Sequence, residues 1–251
     1  MKQNKYNDKN FFDKYSKMER SIGGLESAGE WHILKTMLPD FNEKNVLDIG
    51  CGFGWHCRYA SSEGAKSVLG IDISSEMLKV AKEKTNDDKI KYKCIAMEDI
   101  DFSKGEFDVV ISSLAFHYTK DFDIICKKIY DCLSDKGSFV FSVEHPIFTA
   151  KETQDWCYGE NNEILYWPVD DYQYEGIRKT SFLGEEVIKY HRTIETYINT
   201  LIKNGFIINN ISEPVPPISM VEDNEYLKNE FRRPMFLMIS CSKSILKYKK
   251  L

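Results

Sequence analysis

The sequence predicts an α/β protein with a largely parallel sheet and helices packed around it. Two observations carry this. Short apolar runs of strand character alternate with amphipathic helical stretches along most of the chain. The first such run ends in a cluster of glycines that leads straight into a helix, where sheets of this class hold ligands.

Asn45–Ile49 (NVLDI) is the first strand, and 54–62 follows as a helix. Ser67–Ile73 (SVLGIDI) is the second strand. Ser74 is placed to cap a helix over Ser75–Lys84, with Glu76 near its positive end and Met77, Leu78, Val80 and Ala81 apolar. Residues 89–96 alternate Ile90, Tyr92 and Cys94 as a third strand. Phe107–Ser113 (FDVVISS) reads as a fourth, buried on both faces. Ile125, Ile129 and Leu133 have helical spacing, with Gly137 as the stop signal. Ser138–Val143 is a fifth strand. Thr193–Asn204 is an amphipathic helix ended by Gly205, and 206–211 and 235–241 are two final strands. Two stretches stand outside the alternation. Residues 1–45 form a helical preface with Trp31, Leu34 and Leu38 on one face. Residues 146–192 are rich in aromatics and read as a functional lid or a hairpin extension.

Composition narrows the function. The 251 residues carry 34 Lys+Arg against 39 Asp+Glu, a net charge of −5. Such a chain is a poor general binder of nucleic acid or of an anionic membrane surface. The lysines at 243, 247, 249 and 250 read as a solvated end. The polar first dozen residues lack an apolar signal core, and no apolar run approaches the ~18 residues of a membrane span, so a cytoplasmic protein is expected. Seven cysteines (51, 57, 94, 126, 132, 157, 241) include no C-x-x-C pair. They are expected to be reduced and mostly buried, with no metal site.

Val46–Gly54 (VLDIGCGFG) is the most informative stretch. Glycines after a strand let the chain turn sharply and let a ligand approach the backbone. A dinucleotide fingerprint would put a glycine at 55, where Trp55 stands, so the pattern is G-x-G-x-G. Asp72 ends the second strand, placed to accept both hydroxyls of a ribose. By itself the glycine turn fits a dinucleotide or another adenosine-containing ligand, and the absent third fingerprint glycine counts against the dinucleotide.

VLDIGCGFG, then GIDIS with Met77 following, then AMEDI (96–100), then VVISSLAFHY (109–118) resembles the class I S-adenosylmethionine-dependent methyltransferases in order and spacing. The stretches FFDKYSKMERSIGGLESAGEW and SVEHPIF resemble a bacterial small-molecule branch of that family. The resemblance implies a Rossmann-like seven-stranded sheet of order 3-2-1-4-5-7-6 with the last strand antiparallel. It implies one methyltransferase domain over 1–251: cap 1–45, cofactor-binding core 46–145, lid insertion 146–192, and the rest of the core 193–251. S-adenosylmethionine is the implied cofactor. Gly50, Gly52 and Gly54 would pack on its methionine part and ribose, Asp48 would lie near its amino group, and Asp72 would hold the ribose. Ile73 and Met77 would lie beside the adenine, with Met97 and Glu98 at its edge. Ser113 and Leu114 would border the carboxylate and sulfonium, and Tyr15 and Ser21 would close over it. Ala96 departs from the pattern, since many relatives carry an acid there.

Methyl transfer from a sulfonium requires nucleophile, methyl carbon and sulfur held in line, and a base only where a proton must leave. His117 after the fourth strand, and Glu144 and His145 at the end of the fifth, lie on the sheet edge where such sites form; His145 is the first choice for a base or a substrate hydrogen bond. His32 and His56 read as surface or packing residues. His191 and Arg192, where the insertion returns to the core, and the insertion aromatics Trp167 and Tyr172 are candidate substrate contacts. The fourth strand ends in SSLAFHY instead of the N/D-P-P-Y of amino-nitrogen methylases. The expected substrate is therefore an oxygen or nitrogen of a small metabolite, handled by a monomer or homodimer. A protein or RNA methylase, a non-catalytic S-adenosylmethionine binder and a nicotinamide-dependent oxidoreductase are the alternatives.

Overall fold

A computed structural model describes residues 2–222 and 225–244. Three short helices open the chain: α1 (Lys9–Tyr15), α2 (Glu19–Gly23) and α3 (Trp31–Met37). The alternating part follows as β1 (Asn45–Ile49), α4 (Trp55–Ser62), β2 (Ser67–Asp72), α5 (Ser75–Glu83), β3 (Ile90–Cys94), β4 (Phe107–Ser113), α6 (Phe122–Cys132) and β5 (Leu133–Glu144). Then come α7 (Pro146–Thr149), β6 (Cys157–Tyr158), β7 (Ile164–Tyr166), β8 (Gly176–Phe182) and β9 (Glu185–His191). The chain continues through α8 (Ile194–Lys203) and β10 (Phe206–Ser212) to β11 (Phe236–Lys243).

Seven strands form one sheet in the order β3-β2-β1-β4-β5-β11-β10. β11 runs antiparallel to both neighbours, and the other pairings are parallel. This is the expected order and sense. Period-two alternation sends the side chains of β4 to both faces. Val110 joins Ile125, Ile129, Tyr197 and Leu201 under α6 and α8, whereas Val109 and Ile111 join Cys57, Ala60 and Leu78 under α4 and α5. Fully burying a side chain such as Leu201 is worth roughly 1.5–3 kcal/mol. The helix starts follow from local capping. Ser74 Oγ accepts from Met77 N at 3.2 Å, and Thr193 Oγ1 accepts from Thr196 N at 3.1 Å. α3 places Trp31, Leu34 and Met37 against Val140 and Met238 of the sheet, which buries the apolar face of the preface.

Two expectations need correction here. α6 ends at Cys132, not at Gly137, and β5 starts at once with Leu133. Within β5 the pairing with β4 shifts register between Leu133 and Ser138, and Lys136 has φ +65°. Lys243 is not solvated. Its stem is buried, and Nζ donates to Leu133 O at 2.6 Å over the Tyr130 ring. Lys247, Lys249 and Lys250 lie outside the described residues. The insertion carries structure of its own. β6 and β7 pair as a small ladder, and β8 and β9 form a seven-residue hairpin in continuous register. Five of the seven cysteines are buried and all are free thiols. Among the described residues no helix is long and apolar enough to cross a membrane.

Candidate active site

The turn after β1 is stitched to β2. Gly50 N and Cys51 N both donate to Ile71 O, at 2.8 and 2.9 Å, and Gly52 N donates to Asp72 Oδ2 at 2.9 Å. Gly52 has φ +51°, and a Cβ built on it would meet nothing within 4 Å, so that side of the turn is open space. Asp72 Oδ1 accepts from Ser74 N at 2.8 Å. Burial pushes the Asp72 carboxyl up, opposed by these backbone donors. Each oxygen has one donor and keeps acceptor capacity toward the cavity it lines.

That cavity measures ≈ 940 Å³. Gly50, Gly52, Asp72, Ile73, Met77, Met97, Glu98, Ser113, Leu114 and Tyr15 line it, so most of the expected cofactor residues converge. A smaller cavity of ≈ 80 Å³ adjoins it, sharing Tyr15, Arg20, Gly50, Gly52 and Ser113 and adding Ser21. Leu114 is held at φ +52° and is fixed by Ser142, through its O at 2.9 Å and its Oγ at 3.1 Å. A strained non-glycine conformation at this spot is characteristic of ligand sites.

Asp48 lies under the turn, outside both linings. It is buried, with Oδ2 accepting from Cys57 Sγ at 3.2 Å and Oδ1 without a partner. Desolvation pushes its carboxyl up to about 7. The folded state thus binds a proton that the unfolded state, near the ordinary ~3.9, has released. The stabilisation is full below about pH 4 and lost as pH rises through about 7, by about 1.4 kcal/mol per pH unit between. Unliganded protein is therefore expected to melt at lower temperature at pH 8 than at pH 5, and Asp48→Asn is expected to flatten that slope. An unchanged slope in calorimetric melts would count against it.

Gly54 departs from its expected role. It has φ +73° and faces away from the cavity, with the Tyr92 hydroxyl 2.2 Å from where a Cβ would stand. Its glycine is required by packing under β3. Gly54→Ala is expected to destabilise by about 1–3 kcal/mol, a melting shift of at least ~2 °C; a melt unchanged from wild type would refute it.

His117 and Glu144 also line the cavity, as do Tyr6, Tyr118, Phe182, Tyr190 and Phe236. Glu144 Oε1 accepts from Lys189 Nζ at 2.6 Å, and Lys189 Nζ also donates to Gln154 Oε1 at 2.9 Å. Burial would push the Glu144 carboxyl up, but His117 while its ring is charged, and Lys189 and Gln154 throughout, hold it below its ordinary value. Burial takes His117 down to about 4, so the ring is neutral.

Five expected catalytic or substrate residues lie outside the cavity, each for a visible reason. His145 is fully buried as the cap of α7. Its Nδ1 accepts from Ile147 N at 3.0 Å, and Nε2 meets Glu213 Oε1 at 2.8 Å. His191 bonds Thr149 Oγ1 at 2.8 Å and Tyr172 O at 2.9 Å, so neither ring nitrogen is available. Arg192 is buried and ties the segment after β4 down through Phe116 O, Thr119 O and Lys120 O. Trp167 stacks on Phe148 at 5.1 Å, with its Nε1 on Ile147 O, and Tyr172 accepts from Ile194 N. His32 is exposed, and His56 packs edge-on to Trp31.

The sequence reading missed Arg20 and the first residues of the chain. Arg20 Nη2 is bonded to the buried Glu30 at 2.6 Å, and the side chain lines both cavities. Lys2, Gln3, Lys5 and Tyr6 also line the larger one. Gln3 bonds both backbone groups of Ile188 in β9, donating to its O at 3.1 Å and accepting from its N at 2.7 Å. Asn4 Nδ2 donates to Ile73 O at 3.0 Å. A strap is thereby fastened across the cavity from β2 to the hairpin.

The family described as Methyltransferase domain matches residues 47–141. An S-adenosylmethionine-dependent methyltransferase from Mesorhizobium loti superposes with TM-score 0.82 at 39% identity, over 88% of this chain and 100% of that one. The chain belongs to the S-adenosylmethionine-dependent methyltransferases. A protein from Listeria monocytogenes, proposed to be such a methyltransferase, is 56% identical with TM-score 0.84, over 88% of this chain and 99% of that one. An uncharacterised protein of Haemophilus influenzae is 32% identical over 95% of this methyltransferase and 96% of its own length. The enzyme's cofactor is S-adenosylmethionine, and the residues present fit it. The open face of Gly52 leaves room against the backbone, and Asp72 offers acceptors for a diol. The partnerless Asp48 Oδ1 and Ser21 Oγ are buried polar atoms of the kind a bound polar ligand or water satisfies.

Proposed function

We propose that this methyltransferase alkylates an oxygen or nitrogen of a small organic metabolite. The observation that carries the reading is one cavity lined both by the glycine turn and by a set of aromatic side chains. At ≈ 940 Å³ it stands near the top of the ~300–1,000 Å³ spanned by small-molecule pockets. When bound, the cofactor supplies an electrophilic methyl group on a sulfonium. Asp72 would accept from the ribose, Ile73 and Met77 would pack on the adenine, and Met97 and Glu98 would meet its edge. Gly50 and Gly52 would lie along the ribose and methionine, Arg20 would face the carboxylate, and Tyr15 and Ser21 would cover that end. Ser113 and Leu114 would border the reacting centre, aiming it toward His117 and Glu144. Residues of the strap and the hairpin line the cavity, and shielding it from bulk water would favour an in-line displacement. The free, mostly buried thiols suit a reducing compartment such as the cytoplasm.

A labelled methyl donor, supplied to the enzyme with separate small-molecule, protein and RNA fractions of a bacterial extract, tests this. Label is expected in the small-molecule fraction. Label in the protein or RNA fraction alone would overturn the reading.

A further inference from the structure

We propose that the methyl acceptor is a hydroxyl held between His117 and Glu144, and that Lys189 is the positioning residue that sets Glu144 for it. This rests on the small-molecule reading of the same cavity.

The two wall groups have opposite and fixed hydrogen-bonding sense. Glu144 N donates to His117 Nδ1 at 3.4 Å. A ring nitrogen that accepts carries no proton, so the proton of the neutral ring sits on Nε2. No described residue takes a hydrogen bond from Nε2, and that atom is not among the sealed, partnerless ones, so it opens on the cavity His117 lines. Of the two roles open to His117, base or substrate contact, this proton placement supports the contact, with the ring as a donor. Glu144 is the converse. Lys189, 2% exposed at its side chain, grips Oε1 at 2.6 Å, and Gln154 Nε2 reaches Oε2 at 3.5 Å. The carboxylate stays ionised and can only accept.

One donor and one acceptor thus face the same space. A hydroxyl answers both, because its oxygen accepts from His117 and its proton goes to Glu144. A carboxylate has no proton to give, so the acceptor on Glu144 would go unanswered. An alkylammonium has no lone pair for His117, and Lys189 has already neutralised the charge that would draw it. Tyr118, Phe182, Tyr190 and Phe236 around the pair favour a hydroxyl on a flat ring. In the transfer the hydroxyl oxygen bonds the methyl carbon as the sulfur–carbon bond breaks. The hydroxyl proton passes to Glu144 and on to water, leaving a methyl ether and S-adenosylhomocysteine. The titratable groups facing Glu144 are His117, Lys189, Tyr118 and Tyr197.

The test is calorimetric titration of enzyme saturated with S-adenosylhomocysteine, using 4-methylphenol, 4-methylanisole, 4-methylbenzoate and 4-methylbenzylamine. The phenol is expected to bind at least about tenfold tighter than each of the others, the worth of one hydrogen bond to a charged group. The double variant Glu144→Gln/Lys189→Met, which removes both charges together and so spares the fold, is expected to lose that preference. In Lys189→Met alone, the acid limit of phenol binding should move to higher pH, and Lys189→Arg should restore it; a purely structural Lys189 would leave the limit in place. Nitrogen NMR should find the His117 proton on Nε2. The proposal falls if the benzoate or benzylamine matches the phenol, or if the proton is on Nδ1. It falls equally if the phenol fails to bind at ~10 mM to enzyme that holds S-adenosylhomocysteine. A natural small-molecule acceptor that proves to be a carboxylate or amine would overturn this inference alone, whereas a protein or RNA acceptor would overturn the reading beneath it.

Discussion

Asp72→Ala is expected to weaken S-adenosylmethionine binding by about two to three orders of magnitude. A ribose diol would place two hydrogen bonds on one ionised carboxylate, and each such bond is worth about 1.5–3 kcal/mol. At 1.4 kcal/mol per decade this amounts to ~100-fold or more. The same carboxylate receives Gly52 N and Ser74 N, so its loss also loosens the glycine turn and the start of α5. Both effects weaken binding. Calorimetry on the wild type and the alanine variant measures the total. Asp72→Asn, which keeps one acceptor oxygen, should fall between them. Binding by Asp72→Ala within about threefold of wild type, less than one ordinary hydrogen bond, would remove Asp72 from the cofactor site.

Lys189→Met is expected to lower stability by about 3–5 kcal/mol, because it leaves Glu144 as an unpaired carboxylate in a site only 14% exposed at its side chain. For a chain of this length that corresponds to a fall in melting temperature of roughly 6–20 °C. The sign follows from which partner remains. A buried charge without its counterion costs more than the pair ever contributed, so the double variant Glu144→Gln/Lys189→Met should recover most of the loss. A single variant that melts within ~2 °C of wild type would show that water reaches Glu144 freely.

The end of the cavity proposed for the cofactor was legible in the sequence because it is local. Gly50, Gly52 and Asp72 sit at strand ends, and the strands are marked by runs of apolar residues that also fix their faces. The acceptor end was not legible, for a reason of parity. β9 alternates, so Ile188 and Tyr190 line the cavity while Val187, Lys189 and His191 turn into the body of the protein. Sequence alone cannot choose between those faces when both carry polar and aromatic residues. The expectation fell on His191, whereas its neighbour Tyr190 lines the cavity. Arg20 was hidden differently. Its partner Glu30 is ten residues away across two turns of the preface, a spacing that no helical pattern marks. The end of α6 was misplaced because Gly137 reads as a stop, whereas the chain has already left the helix at Leu133.

The Gln3 clasp on Ile188 has a kinetic consequence. The clasp joins strap and hairpin by two hydrogen bonds, and the ends proposed for cofactor and acceptor share the cavity that both line. On that proposal the seam would order arrivals and departures: an acceptor that entered before the spent cofactor had left would shut it in. Turnover is then expected to pass through a maximum and decline as acceptor concentration rises, and loosening the clasp would move that maximum upward.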